Sequence, residues 1–142
     1  MQRQRGFTLL ELLVVLAIIA VSVAGVQLAL RDSQETQLTR EAQRLVAMLE
    51  AGRVQSRTRG VALVWEPSPT GFVIRAATPH PAQTVAPNRT EAWLASGTQA
   101  SSAQAVVLGP EPILTPIRIT LSVANTSRTI ATDGLRPFEV LP

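Results

Sequence analysis

Apolar side chains follow one another from Phe7 to Val26, after a basic start, Met1-Gln-Arg-Gln-Arg-Gly6, and one charge, Glu11, breaks the run. As a helix these twenty residues extend ~30 Å, the thickness of a bilayer's hydrocarbon core. Farther along, the pattern changes from continuous to periodic. Leu38, Ala42, Leu45 and Leu49 recur at helical spacing with Val46 alongside, while Arg40, Glu41, Arg44, Glu50 and Arg53 fall largely on other faces. That stripe is core, made to pack against a sheet. All ten prolines lie at Pro67 or later, and only Gly6, Gly25, Gly52 and Gly60 interrupt the first sixty residues. The pattern predicts one helix from Phe7 to about Arg59, ~80 Å long, with Gly25 a weak point where it can bend or melt.

Beyond residue 60 the period shortens. Val61-Ala-Leu-Val-Trp65 is apolar and favours a strand, Pro67-Ser-Pro-Thr-Gly71 reads as a turn, and Phe72-Val-Ile-Arg75 as the returning strand of a hairpin. From Thr78 to Ala105 the chain turns to Ala, Thr, Ser, Gln and Pro, with Trp93 and Leu94 as large apolar residues. It reads as a long, partly ordered excursion with a short strand or helix near Glu91–Leu94. Leu108-Gly-Pro-Glu-Pro112 is a second turn. Ile117, Ile119, Leu121 and Val123 alternate with Arg118, Thr120 and Ser122, a half-buried strand. Arg128-Thr-Ile130 and Pro137-Phe-Glu-Val140 are the last strands, joined through Asp133-Gly134. No internal repeat stands out. The fold class is α+β: a long helix packed against a C-terminal antiparallel sheet.

Glu11 is the costly residue. A lone carboxylate near one end of an apolar segment costs about 2–3 kcal/mol or more in a bilayer, so it calls for a partner or a path to the headgroups. Arg3 and Arg5 hold the N-terminus on the cytoplasmic side. Three fates fit such a segment. An ordinary secretory signal would be cut after Ser22-Val23-Ala24 and leave a start at Gly25. An uncleaved anchor would keep Met1. The third follows from a resemblance.

Arg5-Gly6-Phe7-Thr8-Leu9-Leu10-Glu11-Leu12-Leu13-Val14-Val15-Leu16-Ala17-Ile18-Ile19 resembles the class III signal of type IV pilins and type II secretion pseudopilins. The resemblance implies that a prepilin peptidase cuts between Gly6 and Phe7 and that the new amine of Phe7 is methylated. It divides the chain into a leader, 1–6, a transmembrane and filament-core helix, 7–30, and a periplasmic head, 31–142. The physics agrees. Glu11 stands one helical turn beyond the new amine on the same face. In a bundle of such helices it can accept the amine of a neighbouring subunit, and two groups costly in an apolar medium then satisfy each other.

Composition narrows the chemistry. There is no Cys, hence no disulfide or thiol chemistry, although many pilins carry a C-terminal disulfide loop. All thirteen basic residues are Arg. Removing Arg3 and Arg5 takes the net charge from +3 to +1, so the mature chain is nearly neutral and shows no bulk basicity for nucleic acid. Without Lys there is no P-loop and no Ser-Lys dyad. The sole His, His80, sits in Pro79-His80-Pro81, which reads as an exposed loop. No His, Cys or carboxylate cluster has metal spacing, and the only Asp residues, Asp32 and Asp133, build no calcium loop. No enzyme, cofactor or metal is expected.

The soluble part narrows the resemblance. Arg44-Leu45 through Arg59-Gly60-Val61-Ala-Leu-Val, then Leu108-Gly109-Pro110-Glu111-Pro112 and Thr132-Asp133-Gly134-Leu135-Arg136-Pro137-Phe138, are similar to the H-type minor pseudopilin. That resemblance implies two small sheets packed on the helix, anchorage in the bacterial inner membrane, and a place near the pseudopilus tip. There the subunit joins the I, J and K minor pseudopilins to a shaft of major pseudopilin. The competing resemblance is to the FimT-type minor pilin, some members of which are DNA receptors. Arg53, Arg57 and Arg59 at the helix end, with Arg118, Arg128 and Arg136 near the last strands, are the candidate contacts. A DNA reader needs them on one continuous face, preferably beside aromatic residues. With no Tyr, two Trp and three Phe, nucleic acid is not expected as a partner, and the arginines are expected in solvent or bridged to Glu66, Glu111 and Glu139.

Overall fold

The computed structural model describes residues 8–78 and 89–141, and the side chains of these apart from 26–32. The chain divides into two compact units, Met1–Gln34 and Glu35–Pro142. The expected boundary fell at residues 30 and 31. One helix, α1, Leu9–Arg59, contributes to both, and it passes through Gly25 without a break in its helical assignment. Gly60 ends it with a φ of 66°, the left-handed conformation that closes helices.

The second unit holds eight strands in two antiparallel sheets. β1 (Leu63–Ser68), β2 (Gly71–Ala76), β3 (Arg89–Ala92) and β5 (Val106–Leu108) form one in the order β3-β2-β1-β5. β4 (Gln99–Ser102), β6 (Ile117–Val123), β7 (Thr126–Thr132) and β8 (Glu139–Leu141) form the other in the order β4-β6-β7-β8. This α+β arrangement is the one expected.

Three local expectations need correction. Pro67 and Ser68 belong to β1, opposite Phe72 and Gly71, so the turn is only Pro69-Thr70. Proline is tolerated there because β5 pairs β1 only from Leu63 to Trp65, so the ladder on that side has already ended. Within Thr78 to Ala105 the short element expected near Glu91–Leu94 is a strand, β3, which begins two residues earlier, and a second strand, β4, follows where the polar composition signals none. β3 is ordered by pairing Gly71–Ile74, and β4 by pairing Ile119–Ser122. Leu108, expected to begin a turn, ends β5 instead.

The core lies between the helix and the sheets. Leu38, Ala42, Leu45 and Leu49 are fully buried, as their spacing predicts, against Leu63, Trp65, Phe72, Leu108, Ile119, Leu121 and Ile130. β6 buries Ile117, Ile119, Leu121 and Val123 and turns Arg118 outward, as its alternation requires. Gly52 lets the helix approach β5 closely: a Cβ there would stand 2.7 Å from the Leu108 Cδ1. Trp93 closes the first sheet. Its ring centroid lies 5.1 Å from that of Phe72, its indole N–H donates to the Ser68 carbonyl at 3.0 Å, and its amide donates to Thr70 at 3.1 Å.

Candidate functional site

Gly6 and Phe7 lie outside the described residues, as does His80; the description begins at Thr8. The head of α1 is a reciprocal cap. The Glu11 amide donates to the Thr8 hydroxyl at 3.2 Å, while the Glu11 carboxylate accepts from the Thr8 amide and hydroxyl, each at 3.4 Å. Thr8-Leu-Leu-Glu11 is therefore a capping box, in which two otherwise orphaned donors of the first turn are satisfied. It also sets a negative charge at the positive end of the helix dipole. The sequence signal is Thr-x-x-Glu, which neither a neighbour's amine nor a path to the headgroups, the two expectations for Glu11, takes into account. In the single chain Glu11 already has an internal partner, at long and weak distances.

Around this cap the helix surface is apolar and open. Leu9, Leu10, Leu12, Leu13, Val14, Val15, Leu16, Ile18, Ile19, Val21 and Val23 are all exposed. Each of them carries apolar surface that water does not favour, and together they form a patch far larger than a soluble monomer leaves uncovered. Among the described residues, no helix is long and apolar enough to cross a membrane.

The second unit fastens the rest of α1 with two Glu-x-x-Arg clamps. In the first, fully buried Glu41 accepts from the Leu94 amide at 2.5 Å, and Arg44 joins Glu41, Glu91 and the Ala92 carbonyl at 3.3, 2.5 and 2.9 Å. In the second, Glu50 accepts from the Phe138 amide at 2.8 Å, and Arg53 joins Glu50, the Arg136 carbonyl and the Gly134 carbonyl at 3.3, 3.2 and 3.5 Å. The clamps stand nine residues apart, about half a turn around the helix. One grips the end of β3 and the other the segment before β8. Glu41 and Arg53 were expected away from the core and are instead buried, because backbone amides and carbonyls of the head meet them there.

The six arginines of the DNA reading do not share one face. Arg53 is buried. Arg57 donates to the Pro112 carbonyl at 3.0 Å. Arg128 pairs with Glu35 and sits opposite Leu121, on the side of its sheet turned to the core. Arg118 is on the other side of that sheet. Arg136 stands 3.9 Å from Asp133. Of the expected acceptors, Glu66 pairs with none of the six but with Arg75, which lies diagonally across the β1–β2 ladder, two residues from the Glu66 register partner Val73; the pairing draws the Glu66 carboxyl below and the Arg75 guanidinium above their ordinary values. No group of three or more possible metal ligands occurs among the described residues.

Comparison with known proteins agrees with both regions. Residues 1–26 match the family described as the prokaryotic N-terminal methylation motif. The fold is similar to the crystal structure of the type IV minor pilin FimU of Pseudomonas aeruginosa, with a TM-score of 0.57 and 15% identity, covering 78% of this chain and 92% of that one. No curated protein matches the chain. The chain thus joins a prepilin-type N-terminal motif to a type IV pilin-like fold.

Proposed function

We propose that this protein is a minor subunit of a helical periplasmic filament, an H-type minor pseudopilin of a type II secretion machine. The observation that carries the proposal is Glu11 at the head of an uncovered apolar helix within a prepilin-type motif, on a pilin-like head. In this reading a prepilin peptidase cuts between Gly6 and Phe7, Phe7 is N-methylated, and the helix anchors the subunit in the bacterial inner membrane with its head in the periplasm. Leader 1–6, membrane helix 7–30 and head 31–142 are then the functional parts.

Assembly needs no bond-making chemistry from this chain. Glu11 exchanges the weak contacts of its own cap for the charged amine of a neighbour. Exposed Leu, Val and Ile faces exchange lipid for other helices. The expected neighbours are the I, J and K minor pseudopilins and the major pseudopilin. The protein is no enzyme and takes no cofactor; the work comes from a separate ATPase.

The test is Glu11→Ala in the native host. The variant should be cleaved and membrane-bound, yet recovered with its filament partners at least tenfold less, as expected for about 1.4 kcal/mol or more of lost pairing. Recovery equal to the wild type would contradict the proposal. A second reading, the FimT-type pilin that binds DNA, has one observation in its favour, the outward-facing Arg118 on β6. Salt-dependent retention of duplex DNA by the purified chain, lost in Arg118→Ala, would favour it.

A further inference from the structure

We propose that Arg128 and Glu35 form a latch that sets how much of α1 the head holds, and that opening it releases about one further turn of the helix. The latch sits where two patterns end. Leu30 is the last apolar residue before the buried stripe begins at Leu38, and residues 31–37, Arg-Asp-Ser-Gln-Glu-Thr-Gln, include no apolar residue at all. Ser33 to Gln37 are exposed without exception. Helices in proteins draw most of their stability from packing, and Ser and Thr are only middling helix formers. This stretch therefore has little of its own to keep it wound. The chain also divides here: its first unit ends at Gln34, and the head begins at Glu35.

The head reaches this turn with one long side chain. Arg128 occupies a position on β7 whose cross-strand partner, Leu121, is fully buried. A guanidinium cannot remain among apolar groups without partners. Its side chain is only 21% exposed, and it donates to the Glu35 carboxylate and, at 3.0 Å, to the Ser127 carbonyl. Along α1 the next buried residue is Leu38, about one turn beyond Glu35. Closed, the pair extends the head's hold on the helix to Glu35; open, that hold begins at Leu38.

Two features make this contact easier to release than the clamps. The clamps use backbone groups fixed by the head's own fold: the Leu94 and Phe138 amides, and the Ala92, Arg136 and Gly134 carbonyls. The latch joins one side chain to another, and the Glu35 side chain is half exposed, so water and salt weaken the attraction. The helix is also compromised at this turn. The Thr39 hydroxyl donates to the Glu35 carbonyl at 2.8 Å, a back-bond that competes with the helical ladder. A weakly held, unpacked turn beside a firmly packed one is where local opening is expected. The inference rests on the single chain and not on the filament reading, and its test leaves Glu11 untouched, so either can fail alone.

The test is amide hydrogen exchange, followed by mass spectrometry, on the full chain in detergent micelles. Peptides covering residues 33–40 read the latch, and those covering residues 42–55 and β7 read the rest of the head. Arg128→Ala should speed exchange in 33–40 about threefold and leave the other peptides unchanged. Glu35→Gln should do the same, and the double variant should go no further than either single one, since each removes the same contact. Added salt should speed exchange at 33–40 in the wild type but not in the double variant. Unchanged exchange at 33–40 in Arg128→Ala would overturn the proposal, as would additive effects of the two substitutions. Faster exchange spread through β7 would also overturn it, by assigning Arg128 to the stability of the sheet instead.

Discussion

One helix is dressed in two ways. From Leu9 to Val23 its leucines, valines and isoleucines are all exposed, while Leu38, Leu45 and Leu49 are fully buried and Val46 is partly so. The difference lies in what the chain supplies. The second stretch has two sheets to pack on and backbone groups placed to receive Glu41, Arg44, Glu50 and Arg53. For the first, the described chain supplies no cover except the cap of Thr8 on Glu11. An apolar surface of that extent is stable only when something else covers it, and in the proposed function lipid covers it before assembly and neighbouring helices after it. Folding and assembly are thus divided along a single element.

The sharpest way to break that division is a pair of matched truncations. Leu45→Ala should destabilise the head by about 2–5 kcal/mol, and Leu13→Ala by less than about 0.5 kcal/mol. Urea unfolding followed by fluorescence of Trp65 and Trp93, both in the head, measures each. Equal losses would mean that the first stretch also supports the head. Next comes the first clamp. Glu41→Ala strips a buried carboxylate from the Leu94 amide and Arg44, and should cost about 2–3 kcal/mol. Arg44→Met, which keeps most of the stem, should cost less than Glu41→Ala.

A smaller effect of opposite sign is expected at the β6–β7 hairpin. Ala124 has a φ of 49° in a two-residue loop between Val123 and Thr126, a conformation that costs a residue with a Cβ about 1 kcal/mol. Ala124→Gly should therefore raise the urea midpoint, and a lower midpoint would contradict the strain.

The smallest effect is the head's response to acid. The Arg136 and Leu135 amides hold the Asp133 carboxyl below its ordinary 3.8, and Arg89 holds Glu91 below 4.5. Carboxyls lowered by folding stabilise the folded state above those ordinary values and lose that contribution as pH falls through the lowered ones. Stability should be flat from pH 7 to about 5 and then decline, less steeply in Asp133→Asn.

Much of this was legible in the residues. The period of Leu38, Ala42, Leu45 and Leu49 gave the packed half of the helix, and the alternation from Ile117 to Val123 gave β6, because both patterns are imposed by a single buried face. β3 was legible only as a short strand or helix near Glu91–Leu94, and β4 not at all: Arg-Thr-Glu-Ala and Gln-Ala-Ser-Ser carry no alternation, and these edge strands are ordered by the neighbours they pair with rather than by burial. The clamps escaped for a related reason. A helical pattern shows that Glu41 and Arg53 are charged, but not that the Leu94 amide or the Gly134 carbonyl waits beside them. At the candidate site, Glu11 stands out by its place in the apolar run, and its cap by Thr8 is written in the Thr-x-x-Glu spacing, whereas a partner in another chain leaves no mark on a single sequence.

The division between a self-covered head and a borrowed cover for the helix rests on the chain's maturation. Intact-mass and N-terminal analysis of the protein isolated from its native membrane tests it most directly. A chain that begins with N-methylated Phe7 is the predicted result; one that still begins at Met1, or that starts at Gly25 with the apolar helix gone, would contradict it.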